Sequence, residues 1–100
     1  MTNSLLTTLQ ETRAAGRMAL CGYFLAAYPT PERFYRAVRA ASMLDVIEYG
    51  IPADNPTLDG AVISRAHEIV TGERGLGAET ALALIGGLRE IRPPGFVMTY

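Results

Sequence analysis

Two carboxylates near the middle of the chain, Glu48 and Asp59, are the residues whose type and spacing could do chemistry. Glu48 lies near the end of an apolar segment of strand character, and Asp59 stands with Gly60 at the mouth of a helical segment. Carboxylates serve as general acids and bases, and a buried acid is costly unless it has a task. The pair therefore predicts a site at one end of a strand. The alternatives are an exposed strand-end acid for Glu48 and a helix cap for Asp59.

The other reactive or aromatic side chains favour structural roles. His67 lies within a helical segment with no second His or Cys nearby, so we do not expect it to bind a metal. Cys21 lies in an apolar run and is interpreted as a small core residue. Tyr23, Phe24 and Tyr28 either line a pocket for a flat substrate or belong to the core, and the general burial of aromatic residues favours the core.

The composition indicates one small globular unit and excludes several classes of function. Apolar residues make up 49% of the chain and the net charge is −1, which predicts a buried core and no nucleic-acid surface. All nine basic residues are Arg, so a Schiff-base lysine is absent from this sequence. The single Cys fits a reducing compartment, and no signal peptide or membrane-length apolar run is present. We expect a soluble, cytoplasmic protein.

The elements that would position the two acids alternate along the chain. The pattern predicts helices over 4–15, from Thr30-Pro31-Glu32 to about Ala41, over Ala61–Thr71 and over Ala78–Ile91, and strands over Met18–Ala27, Asp45–Tyr49 and from Phe96 onward. The first strand reads as buried on both faces. In the last two helices, Val62 and Leu82 are among the residues expected to point inward. The glycine-rich segment Gly72–Gly77 follows a helix rather than a strand, so it is not predicted to bind phosphate.

This alternation predicts a parallel α/β architecture. Three strands with two crossovers close no barrel, and the sequence ends inside a strand. We therefore expect residues 1–100 to be the N-terminal portion of a single (β/α)8 TIM barrel, with only its first three strands and their helices. Such barrels place catalysis at the C-terminal ends of their strands, where Glu48 would lie.

The segment that carries both acids resembles the signature of the tryptophan synthase alpha subunit family. The resemblance rests on Val46-Ile47-Glu48-Tyr49-Gly50-Ile51-Pro52, Asn55-Pro56 and Asp59-Gly60-Ala61-Val62-Ile63, with support from Ala27-Tyr28-Pro29-Thr30, Arg89-Glu90-Ile91-Arg92 and Val97-Met98-Thr99-Tyr100. It implies a carbon–carbon lyase that cleaves indole-3-glycerol phosphate to indole and glyceraldehyde 3-phosphate in tryptophan biosynthesis.

The same resemblance implies a role for four residues. Glu48 matches the acid–base glutamate of the family, and Asp59 matches the aspartate that faces the indole nitrogen. Tyr23 and Tyr100 match aromatic positions around the indole. No metal and no cofactor are implied for this chain, because pyridoxal phosphate is expected only in the beta subunit that takes up the indole.

The sequence departs from the family pattern in the loop between the two acids. Asp54-Asn55-Pro56 stands where the family has S-D-P, and Ala61 stands where it has Pro. This loop meets the beta subunit in the family. The changes in the loop therefore bear on the expected beta-subunit partner more than on the expected small-molecule substrate. The alternative function is a non-catalytic remnant or interaction module. In either case we expect the isolated 100-residue chain to be inactive, because its barrel would be open.

Overall fold

The computed structural model describes residues 4–54, 59–91 and 93–99. Helices and strands alternate within these residues, which confirms the predicted α/β architecture. The elements are α1 (Ser4–Ala14), β1 (Cys21–Leu25), α2 (Pro31–Ala40), β2 (Val46–Gly50), α3 (Ala61–Glu68), a π-helical turn (Ile69–Glu73), α4 (Ala78–Gly86) and β3 (Gly95–Met98). No helix in this described part is long and apolar enough to cross a membrane.

The three strands form one parallel sheet in the order β1-β2-β3. The register sets Glu48 of β2 opposite Tyr23 of β1 and Phe96 of β3. Because side chains alternate along a strand, these three residues project from the same face of the sheet. Among the described residues, β1 and β3 each pair along one edge, so Glu48 lies on the central strand.

The opposite face of the sheet carries the larger part of the hydrophobic core. Ile47 and Tyr49 of β2 are 0% and 4% exposed and belong to one buried cluster with Phe34 of α2 and Ala81 of α4. The Tyr49 ring meets the Phe34 ring edge-on, with 6.2 Å between centroids and 74° between planes. The helices that follow β1 and β2 therefore contribute to one face, and the Glu48 face is the more open of the two.

The start of α2 follows the predicted capping pattern. Thr30 has an extended backbone, and its Oγ1 accepts a hydrogen bond from the Arg33 amide at 3.2 Å, while Pro31 is the first helical residue. Such a cap satisfies an amide that the helix cannot pair, at about 1 kcal/mol. The crossover from β1 to β2 thus begins at a fixed residue.

The carboxylate of Asp45 connects the N-terminal ends of β1 and β2. Asp45 Oδ2 accepts a hydrogen bond from the Leu20 amide at 2.8 Å, and Oδ1 lies 3.3 Å from Arg17 Nη2. The Leu20 amide first, and Arg17 second, hold the pKa of the Asp45 carboxyl below its usual value of 3.8. Because the folded pKa is lowered, this contribution to stability is present above pH 3.8 and is lost as the pH falls through the lowered value.

Two predicted helices end earlier than expected. The regular helix α3 stops at Glu68 and widens into the π-helical turn, and α4 stops at Gly86 rather than Ile91. The amide of Gly87 bonds to the carbonyl groups of Ala83 and Leu84. A Cβ at Gly87 would fall 2.7 Å from Tyr35 Oη, so a larger residue at this turn would have to displace the Tyr35 hydroxyl.

Three expectations about burial are wrong. Cys21 is exposed rather than a core residue, and β1 is not buried on both faces, because Cys21 and Tyr23 project from the open face. Val62 and Leu82 are 85% and 53% exposed instead of inward-facing. Both helices carry more apolar positions than their buried stripes contain, so some apolar side chains remain exposed.

Candidate active site

Glu48 lies on the open face of β2, two residues before the end of the strand. Its side chain is half-buried, and the register flanks it with the aromatic residues Tyr23 and Phe96, which are 36% and 40% exposed. An acid between two aromatic side chains on one face can reach a flat substrate that stacks beside it. The alternative interpretation of Glu48 as an exposed acid at a strand end does not fit the structure, since Glu48 is partly enclosed.

The position of Tyr23 depends on a glycine of the neighbouring strand. A Cβ at Gly50 would collide with the hydroxyl of Tyr23 and would lie 2.8 Å from its Cζ atom. The Tyr23 ring therefore extends over Gly50, toward the C-terminal end of β2 and past Glu48. This close approach brings an aromatic side chain to the end of the sheet where the loop residues that follow β2 begin.

Asp59 stands immediately before α3, with its side chain 22% exposed. The N-cap of α3 is Gly60, which has no side chain for capping, so Asp59 precedes the cap instead of occupying it. The backbone carbonyl of Asp59 accepts a hydrogen bond from Ser64 Oγ at 3.3 Å. Its carboxylate is turned toward α3, where Oδ2 lies 3.4 Å from Nε2 of His67.

His67 also belongs to the candidate site. The sequence pattern raised only a metal-binding role for this residue, and that role was not expected. It is 1% exposed, and its Nδ1 accepts a hydrogen bond from the Ala53 amide at 2.9 Å. One imidazole thus contacts both the segment that leaves β2 and the carboxylate of Asp59. The available signal was a polar side chain beside the apolar positions of α3, because buried polar groups need partners.

An apolar groove lies between β1 and α3. It has a volume of about 210 Å³ and is lined by Tyr23, Phe24, Leu25, Tyr28, Val62, Ile63 and Ala66. Tyr23 and Tyr28 are more than one-third exposed, so the pocket interpretation describes them better than the core interpretation, whereas Phe24 packs against the core. Neither Glu48 nor Asp59 lines the groove, and Tyr23 and Leu25 belong to both the groove and the face of Glu48.

Two of the residues singled out above lie outside the described residues. They are Tyr100 and, in the loop, Asn55. Among the residues that the structure does describe, no group of three or more His, Cys, Asp or Glu side chains is placed to hold a metal ion. The candidate site in the described part comprises Glu48, Asp59 and Tyr23, with His67 beside Asp59.

The family model described as tryptophan synthase alpha chain matches residues 9–100. Among curated relatives, the tryptophan synthase alpha chain of Thermobifida fusca is 38% identical over 98 residues, which are 92% of this chain and 34% of that protein. The alpha chain of Nitratidesulfovibrio vulgaris (strain DP4) is 42% identical over 62 residues, which are 60% of this chain and 24% of that protein.

Solved structures give the same result for the fold. Tryptophan synthase subunit alpha from Legionella pneumophila superposes with a TM-score of 0.89 at 28% identity, covering 100% of this chain and 39% of that one. The aminoacrylate-bound form of tryptophan synthase from M. tuberculosis superposes with a TM-score of 0.87 at 31% identity, covering 99% and 41%. The chain therefore spans about a quarter to two-fifths of the length of the relatives it matches.

Proposed function

Because the chain belongs to the tryptophan synthase alpha chain family, whose fold is a (β/α)8 barrel, we propose that it supplies the acid–base carboxylates of a carbon–carbon lyase. The proposed substrate is indole-3-glycerol phosphate, and the products are indole and glyceraldehyde 3-phosphate. The described residues correspond to the first three strands of such a barrel.

The cleavage makes three demands on the site. A proton must reach the ring carbon that carries the glycerol chain, the adjacent hydroxyl must lose its proton, and the charge that develops at the ring nitrogen must be stabilised. Glu48 serves as the acid–base residue, and Asp59 accepts the hydrogen bond of the ring nitrogen. Two carboxylates from different elements can act on opposite sides of one substrate without a metal or a Schiff base.

One observation carries this proposal: Glu48 projects from the open face of the sheet directly between Tyr23 and Phe96. Aromatic side chains on both sides of an acid suit a flat aromatic substrate, because stacked or edge-on ring contacts add about 0.5–1.5 kcal/mol beyond burial. Tyr23 is the proposed substrate contact in the described part, and Tyr100 is proposed from the sequence alone.

Replacing Gly50 by Ala is expected to lower indole release about tenfold, because the new methyl group displaces the Tyr23 hydroxyl and a small misplacement near the substrate is costly. Because the Tyr23 ring can rotate toward the open face of the sheet, we expect the substitution to change thermal stability less than it changes the rate of indole release. The matched control is Gly86→Ala, since a Cβ at Gly86 meets nothing within 4 Å. Equal turnover by Gly50→Ala and the wild type would show that the position of Tyr23 does not matter for cleavage.

The proposal is tested by measuring indole release from indole-3-glycerol phosphate. The protein expressed from its complete natural coding sequence is expected to release indole, and residues 1–100 expressed alone are expected to release none. The physical reason is that β1 and β3 each pair along one edge among the described residues, so these strands do not form a closed barrel. Turnover by residues 1–100 would overturn this expectation, and an inactive natural protein would favour the non-catalytic interaction module.

A beta subunit is the proposed partner, and pyridoxal phosphate is proposed to bind only to that subunit. Two of the matching structures from M. tuberculosis are an aminoacrylate-bound form of tryptophan synthase and a form bound to both aminoacrylate and BRD0059. Residues 1–100 contain no Lys, so they supply no Schiff-base lysine for pyridoxal phosphate. Asn55 lies in the loop proposed to contact the partner.

A further inference from the structure

The buried imidazole of His67 contacts Ala53, in the segment that leaves β2, and the carboxylate of Asp59, without taking part in the proposed chemistry. It is one of the largest fully buried side chains of the described residues, on the inner side of α3. Its backbone carbonyl accepts a hydrogen bond from Thr71 Oγ1 at 2.9 Å, which fixes the helix around it. Burying a polar imidazole ring among apolar groups costs free energy unless its nitrogens have hydrogen-bond partners.

The contact with Ala53 determines which nitrogen carries the proton. The Ala53 amide donates to Nδ1 at 2.9 Å, so Nδ1 must offer a lone pair and the imidazole is neutral. The hydrogen is then on Nε2, which faces Asp59 Oδ2 at 3.4 Å. This separation is longer than the usual 2.7–3.2 Å for an N–H···O hydrogen bond. The Asp59 carboxylate thus lies beside Nε2 at a distance that can shorten when substrate binds.

The two contacts connect the exit of β2 to the start of α3. Ala53 follows Glu48 by five residues, and Asp59 directly precedes the helix that carries His67. A side chain that contacts both segments fixes the distance between them, since side-chain packing locks the ring. We propose that His67 is a positioning residue that orients the Asp59 carboxylate relative to Glu48, and this inference rests on the proposed function for the role of Asp59.

Two substitutions separate the two contacts of His67. In His67→Gln the amide nitrogen can occupy the place of Nε2 and donate to Asp59, whereas in His67→Asn the shorter side chain can accept from the Ala53 amide but does not reach Asp59. We expect His67→Asn to lower kcat for indole release about tenfold and His67→Gln about threefold or less. A purely structural role predicts the reverse order, or equal losses that follow the loss of thermal stability.

A double-mutant cycle shows whether His67 acts through Asp59. In an Asp59→Asn background we expect His67→Asn to lower kcat less than about twofold, because the carboxylate that it orients is gone. An undiminished tenfold loss in that background, or a better rate for His67→Asn than for His67→Gln, would overturn the inference.

A measurement that does not depend on turnover distinguishes a failure of this inference from a failure of the proposed function. Nitrogen NMR of the wild-type natural protein is expected to show His67 with a protonated Nε2 and an unprotonated, hydrogen-bonded Nδ1, and Asp59→Asn is expected to shift the Nε2–H resonance. A protonated Nδ1, or an Nε2–H resonance that ignores Asp59→Asn, would disprove the positioning contact even in an active enzyme. The expected spectrum in a protein that releases no indole would instead overturn the lyase proposal and leave the contact in place.

Discussion

Replacing Glu48 by Gln is expected to reduce the indole release of the natural protein by about 10³-fold, within the 10²–10⁴ that a positioned general acid–base group contributes. The amide keeps the size of the side chain but can neither give a proton to the ring carbon nor take one from the hydroxyl. Because Glu48 is half-buried on the open face, the fold is expected to tolerate the change. The rate is measured under single-turnover conditions, which exclude slow product release as the cause.

The matched control is Glu90→Gln, which removes an exposed acid from the turn that follows α4. It is expected to release indole at the wild-type rate, because it lies away from the open face of the sheet. If Glu48→Gln kept near-wild-type turnover, Glu48 would not be the acid–base residue. A loss shared by Glu90→Gln would point to net charge rather than to proton transfer.

Replacing Asp59 by Asn is expected to reduce the same rate by about 10²-fold, since removing one group that stabilises transition-state charge costs about 10²–10³. The physical reason is that a neutral amide no longer stabilises the charge that develops at the ring nitrogen. A substrate methylated at that nitrogen tests the assignment, because it has no N–H for Asp59 to accept. The wild type is expected to cleave the methylated substrate slowly, and Asp59→Asn is expected to lower that rate little further.

The control for Asp59→Asn is Glu68→Gln, which removes an exposed carboxylate at the end of α3, the helix that follows Asp59. Glu68 pairs with Arg65 at 3.0 Å, and exposed pairs of this kind contribute little to stability because solvent screens them. Normal turnover is therefore expected for this variant. An equal loss for Asp59→Asn on methylated and unmethylated substrate would show that Asp59 acts elsewhere than at the ring nitrogen.

The fold was largely predictable because its signals are local. The alternation of strand-like and helix-like segments predicted the parallel sheet, and Thr30-Pro31 predicted the start of α2. Glu48 could be singled out because an acid inside an apolar strand is unusual. The family resemblance, which the family model and the solved relatives confirm, added the roles of Glu48 and Asp59, and those roles stay predictions.

The features that could not be predicted depend on contacts between distant residues. The Ala53 amide bonds to His67, fourteen residues further along the chain, and the Tyr23 ring passes over Gly50 of another strand. Tyr35, which lies more than fifty residues earlier in the chain, approaches Gly87 directly after the end of α4. The exposure of Cys21 depends on which face of the sheet the helices cover, and an apolar run gives no sign of this.

The most direct test of the account is a crystal structure of the Glu48→Gln variant of the natural protein with indole-3-glycerol phosphate bound. The account predicts the indole ring beside Tyr23, the substituted side chain at the ring carbon and its neighbouring hydroxyl, and an Asp59 oxygen about 2.7–3.2 Å from the ring nitrogen. An indole ring bound away from the open face of the sheet, or a ring nitrogen paired with a group other than Asp59, would contradict it.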